Sequence, residues 1–332
     1  MSKKDFRKES DSMGELRVPS QALWGAQTQR AIENFQISDI RAPRKFISAL
    51  GLVKWSAAST NEELGLLEKE KSIAIKTAAQ DIIDGKHDSQ FPVDIFQTGS
   101  GTSTNMNANE VIANIASLSS KQEIHPNDDV NMCQSSNDVI PTAINIAILI
   151  SIEEELLPSI ENLIKSLSAK SDELKNTVKT GRTHLMDAMP ITMGQEIDGW
   201  KQQMKNAYNR IDGGLERLSQ LAQGGTAVGT GVNAHQDFGK IFVSILSKKT
   251  GKDFKSAASY FESLSSQDTS LEISSYLKSL AVSLLKISND LRWMNSGPLS
   301  GIGEIKLPEL QPGSSIMPGK VNPVIPEAVA MA

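Results

Sequence analysis

The side chains of this sequence that could move a proton or grip an anion gather in four short segments. In the first, GSGTSTNMNANE at 99–110, the Ser100 and Thr102 hydroxyls flank Gly101 ahead of a helix signal from about Asn107. Backbone N–H groups at a helix start, joined by two hydroxyls, form a cradle for a carboxylate. Taken by itself, the segment reads better as a turn and N-cap. The second, QSSNDVIP at 134–141, offers Ser135, Ser136 and Asn137 just before a helix whose first turn tolerates Pro141. Capping alone again accounts for it. The third, GRTHLMDAMP at 181–190, centres on Thr183 and His184. Histidine's ordinary pKa suits proton transfer, although a single histidine is also commonly structural. The fourth, GSSIMPGKVNPVIPE at 313–327, brings Ser314, Ser315, Lys320, Asn322 and Glu327 into one stretch between reshaping glycines. Here a chemical role is the better reading from the residues alone. HPNDD at 125–129, with His125, Asn127 and Asp128, reads by default as a surface turn.

Other chemistries find no support. His87, His125, His184 and His235 are scattered and follow no HExxH or cysteine-rich spacing, so a metal site is not expected. GGTAVGTG at 224–231 lacks the Lys-Ser/Thr ending of a phosphate loop and reads as a tight connection after a helix. No GxSxG elbow is present.

The elements that must position these segments are mainly helical. A mixed region up to about 135 holds helices near 44–65 and 68–84, separated by loops rich in Gly, Pro, Asp and Asn. From about 138 the pattern turns to long helices. The apolar run from Ala143 to Ile152 reads as a helix buried on all sides. In 153–176, Leu156, Leu157, Ile160, Leu163, Ile164 and Leu167 keep amphipathic spacing. Further helices are expected at 194–221 and 268–294, each roughly 40 Å long at 1.5 Å per residue. The last has a broad apolar surface, with Ile273, Leu277, Leu280, Leu284, Ile287, Leu291 and Met294 widened by Tyr276, Ala281, Val282 and Leu285. Such a surface calls for neighbours on more than one side, and partner subunits would supply them. The Gly- and Pro-rich stretch after Asn295 is long enough to be a functional loop. Strand–turn–helix alternation is missing, which disfavours a doubly wound sheet.

Composition sets the outer limits. The 332 residues are 39% hydrophobic, 22% charged and only 5% aromatic, an ordinary globular balance suited to helix packing. A net charge of −5 argues against nucleic acid as a partner. The longest apolar run is too short to span a membrane. One cysteine, Cys133, allows no internal disulfide and suggests a reducing, cytoplasmic setting. The charged start, MSKKDFRKESDSMGEL, lacks the apolar region of a secretory signal.

In this order, the four segments resemble the fumarase/aspartase superfamily from about Asp11 onward, and GSSIMPGKVNP is its specific signature. GRTH, GSGT and QSSND are similar to the class II fumarases, where aspartases look like GRTQ, GAGT and QSTND. The resemblance implies a long-helix bundle with a mixed N-terminal domain and cofactor-independent, reversible hydration of fumarate to L-malate. It implies that Ser100, Gly101, Thr102, Ser135, Ser136, Asn137, Thr183 and Ser315 bind a small dicarboxylate. Lys320 and Asn322 would hold the carboxylate beside the carbon that loses its proton, with Val321 a further substrate-binding residue. Ser314 would be the base at C3 of malate, while His184, paired with Glu327, would protonate the departing hydroxyl through a water. His125, Pro126, Asn127 and Asp128 match a second dicarboxylate site, which Gln122 puts in question because some relatives have a basic residue there. The family also implies a homotetramer whose sites draw on three subunits. Rival readings are an aspartase-like ammonia-lyase, for which His184 is hard to explain, and a non-catalytic assembly protein.

Family members of this kind run well over a hundred residues further. The expected division is therefore an N-terminal domain at 1–137 and an incomplete bundle at 138–332, without the small C-terminal domain. A chain ending at Ala332 is expected to be poorly soluble or partly unfolded by itself, with little activity, because apolar bundle surface stays uncovered.

Overall fold

The computed structural model describes residues 6–332; the first five residues of the charged N-terminal stretch lie outside them. In chain order the elements are β1 (Phe6–Asp11), β2 (Gly14–Pro19), α1 (Ala26–Asn34), α2 (Arg44–Glu63), α3 (Lys69–Ile83), α4 (Thr102–Ser120) and α5 (Ser136–Ser151). Then follow α6 (Leu157–Glu173), β3 (Val178–Thr183), β4 (Met186–Thr192), α7 (Met193–Asp212), α8 (Leu215–Leu218) and β5 (Gln220–Leu221). The remainder is α9 (Phe238–Thr250), β6 (Lys255–Ser256), α10 (Tyr260–Ser265), α11 (Asp268–Met294) and α12 (Val324–Met331). The strands pair only two by two: β1–β2 and β3–β4 antiparallel, β5–β6 parallel. The fold is thus mainly α, as expected.

Two compact units emerge. One comprises the described residues up to Ile152 together with Leu215–Ser270, the other Glu153–Gly214 with Leu271–Ala332. The expected boundary at 137/138 falls inside the first unit, near the start of α5.

In the first unit α2 is the central helix, packed against α3, α5 and α9. Its Leu50, Val53 and Ala57 meet a core that includes Val139, Ala143 and Ile146 of α5 and Phe238, Phe242 and Leu246 of α9, all fully buried. The two phenyl rings of α9 lie 6.1 Å apart in a tilted arrangement. Glu110 of α4 caps α1 from a distance, accepting the N–H groups of Gly25, Gln27 and Thr28 at 2.9, 2.9 and 3.1 Å. Helix α4 begins at Thr102, a turn earlier than the sequence suggests. In α5, Pro141 stands in the helix interior rather than the first turn. Within the single chain α5 is buried on one side only, through Val139, Ala143, Ile146 and Leu149, while Ile144, Ile148 and Ile150 are half-buried. The expectation of burial all round is corrected accordingly.

In the second unit α6 packs along α7, with the β3–β4 hairpin between them in sequence. The expected 153–176 helix opens with a π-helical turn, Ile152–Leu156, before α6 proper starts beside Pro158. The expected 194–221 helix ends at Asp212, where Gly213 and Gly214 break the pattern. Helix α11 buries Ile273, Leu280, Ile287 and Met294, one residue every seven, the interval of a coiled-coil seam. It is tied to α7 by Trp200, whose Nε1 donates to Asp290 Oδ2 at 3.0 Å while Lys286 Nζ sits 5.8 Å above the indole. Leu271, Val282 and Trp293 on α11 remain exposed, at 67%, 59% and 58%.

Candidate active site

In the first unit, two of the four segments meet. Gly101 takes φ +69°, a conformation that most side chains avoid, and it lies so close to α5 that a Cβ would stand 2.9 Å from Ile140 Cγ1. One turn into α4, the Asn105 amide donates to Ser136 Oγ at 2.9 Å. The N-termini of α4 and α5 therefore lie side by side, where the two helix dipoles favour an anion. Ser100 Oγ and Thr102 Oγ1 face each other at 2.8 Å, with Ser100 exposed and Thr102 half-buried. Ser135 and Ser136 are half-buried and Asn137 is exposed.

The start of α5 is fastened from below. Ser135 and Asp138 form a reciprocal capping box. Asp138 also accepts the Gly224 and Thr226 N–H groups at 3.1 and 2.9 Å, and the Asn137 amide donates to the Ala227 carbonyl at 2.8 Å. The glycine-rich 224–231 segment thus acts as a brace for the second motif. Burial pushes the Asp138 carboxyl up to about 6, against the pull of those N–H groups and of the Lys54 charge.

Underneath, Lys54 of α2 is fully buried. Its ammonium donates to Asn131 Oδ1 at 2.9 Å and to Gln134 Oε1 at 3.0 Å. Sequence reasoning missed Lys54, Asn105, Asn131 and Gln134. The one available signal was a lysine set among apolar residues in LGLVKWSAA.

In the HPND segment, Pro126–Val130 forms a π-helical turn rather than a plain surface turn. His125 Nδ1 accepts the Asp128 N–H at 3.1 Å, while Asp129 engages Lys71 at 2.9 Å and the His125 N–H at 2.7 Å. His125, Asn127 and Asp128 are exposed and Pro126 is half-buried.

The other two segments belong to the second unit. Thr183 and His184 sit at the tip of the β3–β4 hairpin, and His184 and Leu185 form its two-residue turn with φ of 53° and 61°. Such a turn demands positive φ at both positions and normally takes Gly or Asn. Holding His and Leu there costs on the order of 1 kcal/mol each, the kind of strain that accompanies a side chain put on display. Both residues are exposed. The hairpin is anchored by a charge cluster that sequence reasoning also missed. Glu304 meets Lys179 at 2.8 Å and Arg182 at 3.3 Å, and Lys179 also pairs with Glu196. Burial would raise the Glu304 carboxyl, but hydrogen bonds from Lys179 and Arg182 outweigh it and hold its pKa below the usual carboxylate range.

The signature loop closes on itself. Gly313 N–H donates to the Lys320 carbonyl at 2.8 Å, Pro312 bridges Val321, and the Asn322 amide reaches the Gly313 carbonyl at 3.5 Å. The two arms approach so closely that a Cβ on Gly313 would stand 2.6 Å from the Lys320 oxygen. Ser314, Val321 and Asn322 are half-buried, while Ser315 and Lys320 are exposed at the crest. Ser314 Oγ accepts the Ile316 N–H at 3.3 Å. Glu327 lies in the first turn of α12, half-buried. Among the described residues, no hydrogen bond or ion pair joins it to His184. No group of three or more His, Cys, Asp or Glu side chains that could hold a metal ion occurs among them either.

Comparison with known proteins identifies the family. A family model described as lyase matches residues 14–332. Class II fumarate hydratases of Xylella fastidiosa and Mycobacterium tuberculosis are 57% and 55% identical, each over 98% of this chain and 69% of the relative. The class II fumarase of Schistosoma mansoni superposes with a TM-score of 0.95 at 39% identity, covering 98% of this chain and 73% of that one. A fumarate lyase:delta crystallin from Brucella melitensis gives 0.93 at 44%, over 98% and 72%. A family model spanning nearly the whole chain and relatives of more than half identity lead to one conclusion: the chain belongs to the lyase family, among the class II fumarate hydratases.

Proposed function

We propose that the chain works as a fumarate hydratase through the residues of its four segments, assembled as a homotetramer in the cytoplasm. The observation that carries the reading is the pairing of the α4 and α5 N-termini. Gly101 against Ile140 and Asn105 on Ser136 set the start of the GSGT helix beside the QSSN turn, an arrangement of hydroxyls and amides that suits a carboxylate. Ser100, Thr102, Ser135, Ser136 and Asn137 grip the substrate there, with Thr183 as a further contact.

In the malate-to-fumarate direction, Ser314 takes a proton from C3, and the electron pair moves into the adjacent carboxylate. Lys320, Asn322 and the loop amides stabilise the resulting aci-carboxylate. That intermediate then collapses to the double bond as the C2 hydroxyl departs, protonated by way of His184, Glu327 and a water. General acid–base catalysis supplies roughly 10²–10⁴-fold, so most of the acceleration falls to donors fixed on the developing charge. The exposure of His184 and Lys320, and the lack of a His184–Glu327 bond within one chain, suit a site completed by neighbouring subunits. In this reading the Ser135–Asn137, His184 and Ser314–Asn322 groups come from three of them. The broad exposed face of α11 would lie between bundles, with 1–137 and 138–332 as the functional domains. His125, Pro126, Asn127 and Asp128 are kept as a second dicarboxylate site.

The test is turnover by the natural reading frame that contains these residues, with malate and aspartate supplied separately and fumarate absorbance followed. Malate turnover without added metal or nucleotide is expected. Faster release of fumarate from aspartate would overturn the hydratase reading in favour of an ammonia-lyase.

A further inference from the structure

A fully buried lysine is rare, and when present it is paired or performs a task. Among the described residues, no ion pair joins Lys54 to a carboxylate. Its two hydrogen-bond acceptors, Asn131 Oδ1 and Gln134 Oε1, are neutral amides lying 77 and 80 residues away in sequence. Both belong to the loop that runs directly into Ser135, Ser136 and Asn137. The Asn131 oxygen also receives the Asn105 amide at 3.3 Å, the same amide that holds Ser136 Oγ at 2.9 Å. Asn131 in turn donates to the Gln134 carbonyl at 3.2 Å. A continuous set of polar contacts therefore runs from the ammonium to the Ser136 hydroxyl of the carboxylate cradle. Other lysines of this unit have ordinary acidic partners, such as Lys71 with Asp129 and Lys76 with Glu62.

We infer that Lys54 is a positioning residue for the reaction. It sets the amides of Asn131 and Gln134, aims Ser136 at the substrate carboxylate, and keeps a positive charge beneath the cradle that a dianionic ligand completes. This rests on the hydratase reading and adds to it a group that touches no substrate. The electrostatics agree. Burial pulls the Lys54 ammonium down to about 7, with the Asp138 carboxylate acting the other way. On the elements around α2, Lys71 of α3 pairs with Asp129 of the 126–130 turn, Glu110 of α4 accepts from the α1 N-terminus, and Lys249 of α9 donates to Gln80. As pH rises through about 7 the cradle loses its buried charge, and KM for the dianion increases.

The experiment uses the full natural chain. Once malate turnover by the parent has secured the hydratase reading, Lys54→Met is expected to raise KM for malate about tenfold while kcat changes less than about threefold. The rise of KM above neutral pH should disappear with it. In a double-mutant cycle with Ser136→Ala the two effects should be strongly non-additive, because they act along one path. A normal KM, a pH profile like the parent's, or simple additivity would each overturn the inference. Should Lys54→Met fail to fold, the parent alone still decides. Succinate binding measured by calorimetry at pH 8, above the ordinary histidine range, in buffers of different ionisation enthalpy, should show proton uptake. Binding without uptake refutes the role.

Discussion

Gly313→Ala isolates the geometry of the signature loop from its chemistry, because it changes no reacting group. The added Cβ would stand 2.6 Å from the Lys320 carbonyl oxygen and 3.0 Å from Asn322 Oδ1. A carbon–oxygen contact relaxes at about 3.4 Å, so the Lys320 arm must retreat by roughly 0.8 Å. That arm carries the cation and the amide assigned to the aci-carboxylate, and Gly313 itself adjoins Ser314. A displacement near 1 Å at reacting groups costs about a hundredfold, close to 2.7 kcal/mol of transition-state stabilisation. The loop is mostly exposed, so folding stability should change by no more than about 0.5 kcal/mol. Steady-state kinetics with malate, set beside a thermal melt, read the two effects separately. A kcat/KM within about threefold of the parent would refute the reasoning, since the loop would then accept the methyl group at no cost to its geometry.

Removing the groups proposed to react gives a second set of outcomes. Ser314→Ala and Lys320→Ala should each lower kcat at least about a hundredfold, as loss of one oxyanion donor does, and near-normal turnover in Ser314→Ala would remove it from the mechanism. His184→Asn should lower kcat and alter its pH profile. Glu304 has its pKa lowered by Lys179 and Arg182, so the stability it contributes is present above the unfolded value near 4.5 and lost as pH falls through the lower folded value. Thermal melts of Glu304→Gln should therefore lose part of the parent's acid-side pH dependence, and identical curves would show that the cluster does not anchor the hairpin. The exposed apolar residues of α11 should be covered by neighbouring copies, so light scattering should give a mass well above one chain, and a stable monomer would contradict the shared-site reading.

Helix content and the chemistry-bearing segments were readable from sequence because both depend on short-range patterns. Helical spacing marks α6, α7 and α11, and GSSIMPGKVNP places a hydroxyl, a cation and an amide together whatever surrounds them. Boundaries were less legible where two local signals compete. Gly213–Gly214 stop α7 although apolar spacing continues to Leu218, and α4 begins at Thr102 because Gly101 can adopt the left-handed turn ahead of it.

Residue identity, then, determined which groups could bind a dianion and move a proton, since these are properties of single side chains and their near neighbours. Tertiary structure decided what holds them. The pairing of the α4 and α5 N-termini, the brace from Asp138 to the 224–226 amides and the Glu304 anchor under the His184 hairpin all join residues far apart in the chain. So does the buried Lys54. Its sequence context shows a lysine among apolar residues but names no partner for it. Its burial against Asn131 and Gln134 arises when α2 packs onto the elements folded around it, and no spacing rule along one strand of sequence encodes that meeting.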